Sequence, residues 1–172
     1  GASPMFSSTT TDPAGRRSLG KLEMKKDLPS IIAAHGVPYV ATASPAYLKD
    51  LKKKVKKAMS YHGPRYIQID TPCPTVWGFP PDHTLEVGRL GVKSGLVPLY
   101  EMEDGKISSV RKIKKRIPVE KYLKAQKRFR HLFSSEEGLR AVESIQTYAD
   151  RNIEKFGLLQ QVRNKKQEGP GQ

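Results

Sequence analysis

A single cysteine, Cys73, and a single tryptophan, Trp77, stand in 172 residues, both in one short stretch. One cysteine excludes an intrachain disulfide, so nothing in the chain asks for an oxidising compartment. No apolar run approaches the roughly 18 residues that span a bilayer, and no secretory signal opens the chain. The expectation is a cytoplasmic protein with no membrane partner. Acidic residues are scarce: 17 Asp and Glu against 31 Lys and Arg leave a net charge of +14. Such an excess favours an acidic partner, whether nucleic acid, an anionic surface or an acidic protein, without choosing among them. Also missing are a Gly-rich phosphate loop, a Gly-Asp-Gly followed by Asn, and a dinucleotide fingerprint. No Cys-x-x-Cys or His pair has zinc-ligand spacing. The chain thus carries no cofactor cradle of its own, no set of catalytic residues is assigned, and no internal repeat is found.

What is present suits one α/β domain with a sizeable core, at 37% hydrophobic and 28% charged residues. Four segments follow from composition. Residues 1–20 have no periodicity, only small polar residues such as the Ser7–Thr11 run, and are expected to form a loop or extended arm. Residues 21–105 form the α/β core segment, 106–162 a basic hairpin arm with C-terminal helices, and 163–172 a polar tail. Gly1 is not an initiator. The four residues before Met5 are either a remnant of how the chain was made or the interior of a longer protein, so less than a whole functional unit is expected.

Within the core segment, Asp27 caps a short helix that ends at Gly36, and Val37–Thr42 reads as a buried strand. Ser44 caps the next helix, with Pro45 in its first turn. Ala46, Leu48, Leu51, Val55, Ala58 and Met59 are expected on its buried face, and Lys49, Lys52, Lys53, Lys54, Lys56 and Lys57 on the other. Gly63-Pro64 ends it and the Tyr66–Asp70 strand follows, which makes a βαβ unit with parallel strands. Thr84–Ser94 is amphipathic. Leu96–Met102 reads as a strand, expected at an edge because of Pro98. Glu103–Gly105 is a turn, and Lys106–Ile113 returns as a hairpin arm. A helix carries Val119, Tyr122, Leu123, Phe129 and Leu132, and Ser134–Glu137 resembles a capping box for a last helix through Phe156.

The stretch of greatest interest runs from Tyr66 to Pro81, where a strand empties into Pro72-Cys73-Pro74 and an aromatic, Gly/Pro-rich loop. Loops at strand exits are where α/β proteins carry chemistry. Alone, Cys73 reads first as a small buried hydrophobe. The flanking prolines remove two backbone N–H groups and pre-aim the sulfur, and a Cys-Pro pair is common among iron–sulfur ligands. One thiolate holds no cluster, so that role needs three further ligands from elsewhere. A nucleophilic role needs a nearby base, and His35, His62, His83 and His131 have no fixed spacing to Cys73. His35 reads as a helix C-terminal cap and His83 as solvated. From Lys106 to His131, eleven Lys and Arg face Glu120 alone. Only Tyr122 and Phe129 are interleaved there, at spacing that suits burial, so nucleic-acid stacking is not favoured.

Four separated motifs together resemble one family: TTTDPAG (9–15), KKDLPSIIAAHGVPYVATASPAYLKDL (25–51), GPRYIQIDTPCPTVWGFPPD (63–82) and VEKYLKAQKRFRHL (119–132). It is the β subunit, the thiamine-diphosphate-binding subunit, of the 2-oxoacid:ferredoxin oxidoreductases, most like the pyruvate enzyme and over its C-terminal half. The resemblance implies the C-terminal part of a doubly wound, mainly parallel α/β domain plus C-terminal helices. It implies oxidative decarboxylation of a 2-oxoacid with coenzyme A, electrons passing through 4Fe–4S clusters to ferredoxin. Cys73 matches the fourth cysteine ligand of one cluster. Val76 stands where that pattern has glycine, which bears on the turn if the glycine needs a positive φ. The motif for thiamine diphosphate and Mg2+, and the other three cysteines, are not in this chain. The implied partners are the N-terminal half of the β subunit, the other subunits and ferredoxin, toward which Lys52, Lys53, Lys56 and Lys57 are expected to steer. Two rival expectations are a basic non-enzymatic module for nucleic acid or an acidic protein, and an inactive truncated product.

Overall fold

A computed structural model describes residues 3–160; Gly1, Ala2 and the polar tail at 163–172 lie outside the described residues. A four-stranded sheet in the order β2-β1-β3-β4 carries the chain's α/β architecture. Its strands are β1 (Tyr39–Ala43), β2 (Arg65–Ile69), β3 (Tyr100–Glu103) and β4 (Lys106–Val110). β1 and β2 are parallel, in register from Tyr39↔Arg65 to Ala43↔Ile69, as the βαβ reading requires. β3 joins the other side of β1 antiparallel, and β4 follows antiparallel to β3.

Helix α1 (Leu28–Ala34) starts at Asp27, whose carboxylate accepts from the Ser30 N–H, and ends at His35, the expected C-cap. Helix α2 (Leu48–Ala58) follows one 3-10 turn, Pro45–Tyr47, whose start Ser44 caps. α2 covers the sheet face of Tyr39 and Ala41, where Ala58 and Ile67 complete a core cluster. The opposite face belongs to α1 and the long helix α6 (Glu136–Phe156), with Tyr100, Ile153 and Phe156 packed together. Ring stacking of Tyr100 on Phe156, centroids 4.6 Å apart, fixes α6 on the sheet. A second core lies beyond the sheet among α4 (Thr84–Lys93), α5 (Val119–Lys124) and α6, around Val87, Leu123, Phe129 and Leu132.

Several expectations are corrected. Lys54 does not share the solvated face of α2: it is 2% exposed, and its ammonium donates to the Thr42 carbonyl at 2.9 Å and pairs with Asp50 at 2.7 Å. A long stem that delivers its charge to a strand-end carbonyl can sit where a leucine would. Conversely Leu48, Val55 and Met59, assigned to the buried face, are 56, 39 and 75% exposed. Pro98 does not mark an edge strand. It precedes β3, which begins only at Tyr100 and lies between β1 and β4, and its carbonyl accepts from Thr42 Oγ1. The helix expected from Pro118 stops at Lys124, and a 3-10 segment, Lys127–Phe133, replaces its second half. The capping box is half made: Ser135 caps Gly138 N–H, and with glycine three residues on there is no acidic side chain to reach back. Among the described residues the N-terminal loop has no strand or helix but is tied down, with Ser7 fully buried and Ser8 N–H donating to the Arg128 carbonyl at 2.9 Å.

Candidate functional site

β2 ends at Ile69, and the chain turns through Asp70, Thr71 and buried Pro72 into α3 (Pro74–Trp77), a single helical turn. Cys73 occupies its N-cap position in an extended conformation, φ −104°, where the peptide before a proline is pushed. The Trp77 N–H closes the turn on the Cys73 carbonyl at 3.0 Å. Gly78 then leaves the helix in the left-handed region at φ 72°, and a Cβ there would meet the Lys127 side chain at 2.6 Å. The expected Pro-Cys-Pro turn is therefore a helix start. The glycine requirement falls on Gly78 and not on Val76, which sits in the helical turn, 68% exposed and without a positive φ. The thiol is free and half-buried at the strand exit, neither sealed in the core nor fully solvated.

The corner is braced by a residue far away in sequence. Arg128 is 7% exposed, and its guanidinium lies 3.7 Å from the centre of the Trp77 ring. Its Nε donates to Gln126 Oε1 at 2.9 Å, and a terminal nitrogen donates to the Tyr122 hydroxyl at 3.4 Å. Burial lowers the Arg128 pKa from its ordinary value, opposed by the Tyr122 hydroxyl, Asp70 and Cys73, all near enough to contribute. The group stays charged, because guanidinium starts so high. Asp70 is raised by burial, with Lys25 at 3.8 Å and Arg128 pulling the other way. Burial pushes the Tyr122 hydroxyl up to about 12, so it remains a neutral donor and acceptor. Asp70, Arg128, Trp77 and Lys25 line one small, largely apolar pocket with Met24, Leu96 and Phe129.

The sequence placed weight on Cys73 and Trp77, and the fold brings both to this corner. It missed Arg128 and gave no role to Asp70. The sequence holds no signal that sets Arg128 apart, because the three-residue step from Phe129 to Leu132 suits an α-helix as well as a 3-10 one. Three of the four histidines are placed elsewhere: His35 caps α1, His83 is exposed beside Asp82, and the His131 ring meets the Leu19 carbonyl. Nor do the α2 lysines gather there. Lys57 is committed to Glu101 at 3.3 Å and Glu103 at 2.6 Å, and Glu103 pairs with Tyr39 at the opposite end of β1 from the Cys73 exit.

Chemically, a half-buried thiol with a pinned backbone suits one ligand of a soft-metal site. Among the described residues no group of three or more His, Cys, Asp or Glu converges to hold a metal ion. Cys73 thus fits a cluster only as one thiolate of several, the others coming from outside the described residues. Among them also, no helix is long and apolar enough to cross a membrane.

No profile of a known protein family matches the chain. Individual relatives do. It is 52% identical over 155 residues to the pyruvate synthase subunit PorB of Methanosarcina barkeri, covering 90% of this chain and 52% of that protein. It is 40% identical over 162 residues to the subunit of the same name from Thermotoga maritima, with 94% of this chain and 50% of that one covered. It is also 37% identical over 163 residues to the ketoisovalerate oxidoreductase subunit VorB of Pyrococcus furiosus, 94% against 51%. The chain spans about half the length of the curated relatives it matches. With that much identity over nine-tenths of its residues, and an α/β sheet opening into the Cys-Pro corner, the chain belongs to the β-subunit family of the 2-oxoacid:ferredoxin oxidoreductases.

Proposed function

We propose that this chain is the C-terminal half of the thiamine-diphosphate-binding β subunit of a 2-oxoacid:ferredoxin oxidoreductase. In this reading the assembled enzyme oxidatively decarboxylates a 2-oxoacid with coenzyme A, giving acyl-CoA and CO2, and hands the electrons to ferredoxin. The observation that carries it is the 52% identity to a pyruvate synthase subunit along nearly the whole chain. Pyruvate is the favoured substrate, because identity to the subunits named for it runs from 40 to 52% against 37% for those named for ketoisovalerate.

Cys73 is the fourth thiolate of a 4Fe–4S cluster whose other three cysteines come from the remaining half of the subunit. When bound, the cluster supplies one-electron transfer toward ferredoxin. This chain's part is to hold one sulfur in a fixed direction: β2 anchors the residues before it, and the Arg128–Trp77 stack anchors the turn after it. Thiamine diphosphate and Mg2+ are bound by the other half, and no residue here is assigned to them. The isolated chain is accordingly inactive in decarboxylation. Ferredoxin is acidic in this reading, and the exposed cations Lys124, Lys127 and Arg130 stand around a hollow of about 330 Å³ beside Gly78–Pro80, the exit of the corner. These three give the positive patch that steers its approach, and the α2 lysines, which do not gather at the corner, are left out of it.

The test is anaerobic assembly of the complete complex with Cys73→Ser, followed by iron analysis and visible absorption. Loss of iron and of the charge-transfer band equivalent to one cluster is expected. A full complement of iron in that variant excludes Cys73 as a ligand.

A further inference from the structure

Arg128 is buried, 7% exposed, yet among the described residues no carboxylate forms an ion pair with it. Its bonds go to neutral groups, Gln126 Oε1 at 2.9 Å and the Tyr122 hydroxyl at 3.4 Å. Its guanidinium stands over the Trp77 and Phe129 rings. Asp70 shares the pocket but pairs with Lys25, at 3.8 Å. Two cations and one carboxylate therefore leave the corner with one positive charge in excess. A buried charge without a counter-charge is costly. Holding a turn in place does not by itself call for one.

The surplus points at Cys73. A Cys73 thiolate is near enough to favour the guanidinium, as Asp70 is. Trp77, whose ring lies under the guanidinium, donates its backbone N–H to the Cys73 carbonyl at 3.0 Å. Asp70 precedes Cys73 by three residues on the strand exit. The carboxylate thus stands on the chain before the sulfur, and the cation on the ring of the residue that closes the turn after it.

We infer that Arg128, opposed by Asp70, is the counter-charge of the cluster that Cys73 ligates, and that this pair of charges sets the cluster's reduction potential. This rests on the ligand reading of Cys73 given above. Each thiolate brings negative charge to the iron, and reduction adds one electron more. A fixed cation in a setting of low dielectric favours the reduced form and raises the potential, and a fixed carboxylate lowers it. Guanidinium keeps its charge at every working pH, so its contribution is constant. Lys25 is on the partly exposed side of the pocket, where solvent screens it more than Arg128.

The test is anaerobic potentiometric titration of the complete complex at about pH 8, above the carboxylate range. Electron paramagnetic resonance reads the reduced clusters, and the signal belonging to Cys73 is the one that Cys73→Ser removes. Asp70→Asn should favour reduction of that cluster about tenfold, a rise of about 59 mV for one electron. Arg128→Met should shift it as far in the opposite direction, with the other clusters unmoved. Arg128→Lys keeps the charge and loses the forked contacts, so its potential stays near the native one while its urea midpoint falls. A brace with no electrostatic effect would move the Lys and Met variants alike and give no opposed pair of shifts. With iron complete, shifts below about threefold or of one sign overturn the proposal, as does a Lys variant displaced as far as the Met one. Should Arg128→Met fail to assemble, Asp70→Asn decides alone: an unmoved or lowered potential overturns the proposal. Iron retained in Cys73→Ser defeats the ligand reading, and this proposal with it, before any potential is read, so the two failures are distinct.

Discussion

Removing the Arg128 guanidinium while keeping its stem, by Arg128→Met, tests whether this side chain is the strut of the Cys73 corner. Three contributions are lost. The charge-assisted hydrogen bond to Gln126, at 2.9 Å and buried, is worth about 1.5–3 kcal/mol. The stack on Trp77 at 3.7 Å adds about 1–2 kcal/mol in a desolvated setting. Asp70 also loses one of its two cations. Together these predict a loss of about 3–5 kcal/mol, the range found when one partner of a buried ion pair is deleted. Urea unfolding at neutral pH, followed by the emission of the only tryptophan, reads both quantities at once. With a slope of about 2 kcal/mol per molar, the midpoint falls by roughly 1.5–2.5 M, and the folded-state emission changes because the cation has left the indole face. Adding Asp70→Asn should return about 1–2 kcal/mol, since the orphaned carboxylate goes with it. A midpoint shift below about 0.5 M, with no coupling to Asp70, would refute the idea that Arg128 holds this corner.

Two further outcomes follow from other parts of the fold. Hydrogen bonds from Lys57, Ser108 and Tyr61 hold the Glu103 carboxyl down at about 2, below the ordinary glutamate value of 4.5. The sign is that of a depressed acid: its contribution is fully present above pH 4.5 and is lost as pH falls toward 2. Glu103→Gln should therefore lower the stability at pH 7 and flatten its fall on acidification between those values, which acid titration by circular dichroism checks; an acid limb identical to the native one would count against the network. Gly138→Ala tests a close approach, because a Cβ would lie 2.4 Å from the Leu132 carbonyl oxygen. Overpacking of about 1–3 kcal/mol should outweigh the gain of up to about 1 kcal/mol in helix propensity, so Tm falls by a few degrees. A rise in Tm would mean that Leu132 yields.

How much of this was legible depends on how local the cause is. The parallel pair was readable because a strand, a capped amphipathic helix and a second strand follow one another within 31 residues, and chirality leaves one way to close them. The β3–β4 hairpin was readable from Asp104-Gly105, both of which adopt positive φ, 48° and 75°. Asp27, Ser44 and Ser135 announced their helices through side chains that bond within three residues. What failed was decided at long range. Lys54 looks like its neighbours, and only the Thr42 carbonyl, twelve residues back and across a layer, makes it a buried residue. Leu48, Val55 and Met59 have the right type and period for a core, but nothing among the described residues covers them. Pro98 did bar strand pairing at its own position; the error was to extend that to the whole strand, when β3 needed only to begin two residues later.

The Cys73 corner combines both cases, and that combination bears on what it is for. Its local half, the prolines and the glycine exit, fixes φ at consecutive positions and could be seen in the sequence. Its distant half is the 3-10 segment that brings Arg128 onto Trp77, itself held by the Ser8 N–H on the Arg128 carbonyl. Backbone and indole are thus immobilised from three separate parts of the chain, while the sulfur is left half-buried and its side chain makes no capping bond. A core cysteine has the reverse arrangement, a sulfur packed on all sides and a backbone with no special restraint. Fixing the bearing of an atom that is not yet in use is favourable only when a later partner would otherwise bear the ordering entropy. The ligand role proposed for Cys73, shared with another polypeptide segment, would meet that condition, because each sulfur of such a set must be aimed before the others arrive.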